Sequence, residues 1–169
     1  MRKSITIFFL FYTAIGFIAS LIIHFLLFFG FSLYKESPSL WLIMHLSIFV
    51  GYIGLYLLRK PGRELKAEDY TKDLGRLMLV ITILFVLLVP YTIINFFYYQ
   101  SVLKHGYPDR VNGQYLLVLE HGQKPKVLTE EEFARAETYQ ARKTSGHWML
   151  AHLFPLMLLY MNYKLEGDE

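Results

Sequence analysis

Four histidines stand in apolar surroundings, where an ionisable side chain is expensive to keep: His24, His45, His147 and His152. Asn95, Ser145 and Trp148 accompany them. Imidazole can hydrogen-bond between helices, ligate a metal or an axial haem position, or serve as a general base. His24, His45 and His152 are the candidate ligands for a b-type haem or a metal, and the residue types do not say which metal. For catalysis, His147 or His121 is the candidate base and Ser145 the nearest nucleophile to His147. A two-residue separation places side chains poorly for reaction on a helix. Neither a nucleophile elbow nor an HExxH sequence is present. The sequence therefore assigns no catalytic residue and points to a non-enzymatic protein.

The chain of 169 residues is 54% hydrophobic, and its 18% charged residues fall below the soluble average of about 25%. It has no cysteine. That excludes disulfides, thiolate zinc, iron–sulfur clusters and covalent c-type haem. A formal charge of +3 reflects lysines and arginines that flank apolar runs. No basic stripe with stacking aromatics appears, so nucleic acid is not an expected partner.

A membrane-spanning helix needs about 20 apolar residues. Segments of about 5–31, 40–58, 77–98 and 147–163 meet this, the last being the shortest. The first exceeds the 7–15 residues of a signal-peptide core, so it reads as a retained anchor. The expected fold is an all-α four-transmembrane-helix bundle with a small β-hairpin and helix inserted between spans three and four. The parts are 1–99 with three spans and a cytoplasmic loop at 59–76, the insertion at 100–146, and the fourth span with its tail at 147–169. Arg2 and Lys3 precede the first span, and Arg59, Lys60, Arg63, Lys66, Lys72 and Arg76 crowd the 59–76 loop. By the positive-inside rule both termini are cytoplasmic and 100–146 is extracytoplasmic.

Within the insertion, Gln114–Glu120 reads as a strand, His121-Gly122-Gln123 as a turn, and Lys126–Leu128 as a returning edge strand beside Pro125. Thr129-Glu130-Glu131-Glu132 is a capping box that starts a helix over Glu130–Lys143. Arg142 and Lys143 would suit its last turn. Thr144-Ser145-Gly146 is expected to interrupt or bend the chain before the fourth span, and Pro155 to bend that span.

With this threading His24, His45, Asn95, His147 and His152 all fall toward the outer leaflet, roughly 15 Å deep at most by a rise of 1.5 Å per residue. Ser145, Trp148 and these five form a candidate polar layer, with His152 facing inward toward His45 or His24 and His147 wet at the mouth. Gly16 with Ser20, and Ser47 with Gly51, are small-xxx-small pairs that let helices approach closely.

Three stretches, "WLIMHLSIFVGYI", "PYTIINFFYY" and "TSGHWML", together resemble a family of small bacterial four-span membrane proteins carrying a Ser-Gly-His-Trp-Met motif. The resemblance covers the three later spans and implies a bacterial inner-membrane location. It implies no activity. Its pattern has an aromatic pair after the motif where this chain has Ala151-His152. That points to His45, Asn95, Ser145, His147 and Trp148 as the shared layer. The expected function is an accessory, regulatory or immunity-type partner of another membrane component. Its partners are the lipid bilayer, a protein met through 113–143, or further copies of itself. The alternative is a b-type haem or metal protein of the outer leaflet.

Overall fold

The computed structural model describes residues 2–31, 38–58, 75–119 and 123–167. Helix α1 spans Arg2–Phe28, α2 Pro38–Leu58 and α3 Gly75–Val102. Strands β1, Tyr107–Val111, β2, Gln114–Val118, and β3, Lys126–Val127, form one antiparallel sheet in that order. Helix α4 then runs unbroken from Glu130 to Gly167. The basic loop between α2 and α3, the loop at 32–37 and the His121–Gly122 turn lie outside the described residues.

Three helices are long and apolar enough to cross a membrane: Lys3–Phe28, Ser39–Leu58 and Arg76–Val102. The fourth expected span, 147–163, lies in the distal half of α4, but α4, whose first half is polar, is not among the helices that qualify. The expected break at 144–146 is absent. Thr144 donates its hydroxyl to the Gln140 carbonyl at 3.0 Å and Ser145 donates to the Arg142 carbonyl at 3.2 Å. Hydroxyls bonded back onto their own helix leave the ladder intact. Asn95 fills the space beside Gly146, where a Cβ would lie 2.8 Å from its amide nitrogen. The glycine therefore serves close packing and not a change of direction. Pro155 likewise sits inside the continuous helix, packed against Gly51.

Helix α4 is the hub, in contact with α1, α2 and α3 and, through its first half, with the sheet. The bundle buries small polar side chains among its apolar clusters and leaves large apolar ones outside. Thr6, Thr13 and Ser20 recur every seven residues on α1 and are buried, while Phe8, Phe11 and Ile15 are 60%, 69% and 65% exposed. Burying threonine and serine while exposing aromatic rings is unfavourable in water and natural against hydrocarbon. The buried hydroxyls are satisfied locally: Thr13 donates to the Phe9 carbonyl at 2.8 Å and Ser20 to that of Gly16 at 2.7 Å. Their small size leaves room for the facing helix.

The helix ends are sealed with care. At the end of α1, Gly30 takes φ +88° and the Phe31 amide donates to the Leu26 carbonyl at 3.2 Å. This is the left-handed termination that glycine permits at low cost. The neighbouring Leu27 carbonyl accepts from the Arg142 guanidinium at 2.7 and 3.2 Å. Arg142 therefore does not lie in the last turn of its own helix, contrary to the expectation from the sequence. It caps another, where a cation suits the negative end of the helix dipole.

In the unit between α3 and α4, the sheet has one strand more than expected. Residues Asn112 and Gly113, with φ +51° and +80°, make the tight turn that joins β1 to β2. Leu117 pairs with Pro108 on one side and Lys126 on the other, and Leu128 donates its amide to the Tyr115 carbonyl at 2.8 Å. Pro108 lies in the edge strand β1 and Pro125 immediately precedes the other edge strand, β3, so a missing donor is tolerated at both. Leu103, Leu117, Leu128 and Ala136 form the buried core between sheet and α4.

Candidate functional site

Each interior histidine joins helices by one scheme. Each ring is satisfied as the neutral tautomer with its proton on Nδ1, donating there and accepting at Nε2.

His152, on α4, is fully buried. Its Nδ1–H donates to the Trp148 carbonyl at 2.7 Å, with the Ser20 oxygen of α1 3.2 Å away. Its Nε2 lies 2.8 Å from the Ser47 hydroxyl of α2, whose single proton it shares with the Met44 carbonyl, also 2.8 Å away. Gly16 gives the ring its space, since a Cβ there would fall within 3.0 Å of the imidazole. One side chain thus fastens three helices, at the two small-residue pairs read from the sequence. Its partners are Ser20 and Ser47, and not the His24 or His45 that depth alone suggested.

His24, on α1, lies at the junction of α1, α3 and α4. Tyr91 donates its phenol to Nε2, and Nδ1–H donates to Ser145 Oγ over 2.7 Å. Ser145 donates its own hydroxyl hydrogen bond to the Arg142 carbonyl, which also accepts from the Asn95 amide at 2.9 Å. Thr92 adds a long bond of 3.4 Å to the Gly146 carbonyl. His24 and Tyr91 also edge a cavity of about 540 Å³ with otherwise apolar walls, among them Leu21, Phe25 and Leu88.

His45, on α2, donates from Nδ1 to the Trp41 carbonyl at 2.8 Å, and Trp148 Nε1–H reaches its Nε2 at 3.4 Å. The Trp41 and Trp148 rings meet edge to face at 5.0 Å, and His45 meets Trp148 at 5.2 Å. His147 turns the other way. It is exposed, bonds to the Lys143 carbonyl at 2.9 Å and lies edge-on to Phe96.

The expected layer is therefore brought together as linked pairs and not as one pocket. His24 meets Ser145, Asn95 meets the same turn of α4, and His45 meets Trp148. Among the described residues, no three His, Asp or Glu side chains are placed to hold one ion. Both nitrogens of His24, His45 and His152 are already engaged, so iron or a metal at any of them would displace a hydrogen bond between or along helices.

Sequence reasoning missed Tyr91 and Arg142 as members of this layer. Tyr91 lies four residues before Asn95, on the same helical face. Arg142 lies three before Ser145, a relation hidden by the expected helix break. Comparison with protein-family models, curated proteins and solved structures finds no match.

Proposed function

We propose that this protein is a non-enzymatic membrane component that presents its sheet to a partner protein. Both termini lie on the cytoplasmic side, and the outer unit is held outside on the rigid stem of α4. The observation that carries this reading is the sheet face turned away from α4. Side chains alternate along a strand, so with Tyr115, Leu117 and Leu119 packed toward α4, the opposite face carries Tyr107, Val111, Leu116, Val118 and Val127, with Asp109 and Gln114 among them. Tyr107, Val111 and Val127 are 49%, 42% and 63% exposed. A small sheet with one apolar face buried and a second, mostly apolar face open is a surface suited to a second protein. The internal pairing of His24, His45 and His152 supports a structural role for the polar layer.

A photo-crosslinking residue at Leu116 in living cells tests the reading. One discrete adduct is expected, lost when Val127→Glu places a charge on the same face. An adduct of twice the chain's mass would identify the partner as a further copy. No adduct at Leu116, or one that Val127→Glu leaves unchanged, would refute the proposal. The haem or metal alternative is separated by an absorption spectrum and metal analysis of the purified protein, where a Soret band or stoichiometric metal would favour it.

A further inference from the structure

We infer that the cleft between α1 and α3, floored by α4, seats an anionic phospholipid at its end nearest Lys3 and Lys164. This inference rests on the membrane reading of the bundle and is independent of the outer sheet.

The cleft contains an apolar cavity of about 420 Å³. Leu10 and Phe17 of α1, Leu77 and Leu84 of α3, and Leu153 and Leu156 of α4 are among its walls. Its volume and apolar walls suit an acyl chain, but hydrocarbon lies everywhere outside the bundle and gives the chain no reason to prefer this place. Preference must come from the headgroup.

The charges at the cleft's end supply it. Tyr160 and Tyr163 line the cavity. Lys3 lies over the Tyr163 ring at 5.6 Å, and Lys164 over the Tyr160 ring at 6.0 Å. Arg76 is exposed and adjoins Leu77 of the same wall. Among the described side chains of α1, α2 and α3, and of α4 from His147 to Lys164, there is no carboxylate. Two ammonium groups are thus held on aromatic rings at the mouth of an acyl-sized groove. A basic pocket between helices is the arrangement that selects anionic headgroups, and each such lysine strengthens the attraction about five-fold.

Native mass spectrometry of the purified full-length protein, titrated with phosphatidylglycerol or phosphatidylcholine, tests this. The wild-type protein is expected to retain phosphatidylglycerol preferentially. The surface variant Lys3→Gln/Lys164→Gln should bind it about 25-fold more weakly, the product of two such losses, with phosphatidylcholine unchanged. Ala14→Trp, which fills the cavity, should displace the lipid while leaving the lysines in place. Glycerol phosphate, the headgroup alone, should not compete. Equal retention of both lipids by the wild type, or no change in the lysine variant, would overturn the inference. Unchanged lipid binding in Ala14→Trp, or competition by glycerol phosphate, would overturn the acyl seat. None of these results bears on the crosslink at Leu116, so the two proposals fail separately.

Discussion

The two halves of α4 solve the same packing problem by opposite means. From Glu130 to about Lys143 the helix belongs to an outer unit whose interior is leucine and alanine, with ion pairs such as Lys126–Glu132 at its surface. From Ser145 onward it enters a bundle whose interior includes histidine, serine and threonine, and whose surface is phenylalanine, isoleucine and leucine. Where water surrounds the fold, burying apolar area drives association and polar groups only decorate it. Where hydrocarbon surrounds it, apolar contact discriminates little, and hydrogen bonds between helices with close backbone approach set the arrangement. The His152 clasp is the counterpart, in lipid, of the Leu117 core. Its energy is smaller, but its geometry is stricter.

That contrast can be broken or sharpened by substitution. The largest effect is expected in the outer unit. Leu117→Ala should cost about 2–5 kcal/mol of local stability, the range for a buried leucine. Hydrogen exchange should rise across 107–119 and leave α1 and α2 unchanged. Equal loss of protection in both halves would show that they do not behave as separate regimes. Next comes Gly16→Val, which drives a side chain into the His152 ring. Overpacking of this kind costs about 1–3 kcal/mol, to be read as lower unfolding resistance in detergent, with the outer unit still protected.

Smaller effects follow. The Thr129 hydroxyl accepts from the Glu132 amide at 3.2 Å, and the Glu132 carboxylate accepts from the Thr129 amide at 2.9 Å. Thr129→Ala should cost about 1 kcal/mol, seen as fraying of the first turn of α4. The Thr129 amide first, and then Lys126, hold the Glu132 carboxyl below the usual range. A depressed carboxyl contributes stability above its unfolded value of about 4.3 and loses it as pH falls through the folded value. Protection of this turn should therefore decline in acid below about pH 4, and Glu132→Gln should remove the dependence. The smallest expected quantity is the coupling between Ser47 and His152. A double-mutant cycle with Ser47→Ala and His152→Leu should give about 0.6 kcal/mol, the average for such bonds in a bundle. A value of zero would demote the clasp to mere proximity.

The sequence made the three apolar helices readable, because each run is long and apolar enough to cross a membrane. The capping box was readable too, since its reciprocal bonds need only four adjacent residues. The extra strand was not anticipated, although Asn112-Gly113 is a strong hairpin signal. The unbroken α4 was not readable for a physical reason. Thr144, Ser145 and Gly146 are poor helix residues alone, and only Asn95 and Thr92 from α3 explain why small side chains belong there. The His152 partners were hidden similarly. Ser20 and Ser47 were legible as small residues, but no spacing in one dimension says that both converge on an imidazole more than 100 positions away.

The central claim is that the exposed phenylalanines of the bundle face hydrocarbon while the sheet faces water outside the cell. Because the chain has no cysteine, single cysteines at Phe8, Lys124 and Lys66 can be labelled with an impermeant maleimide against no background. In intact cells Lys124→Cys should react, Lys66→Cys should react only after permeabilisation, and Phe8→Cys should stay unlabelled in both conditions. Labelling of Phe8→Cys as readily as Lys124→Cys, or of Lys66→Cys in intact cells, would contradict the account.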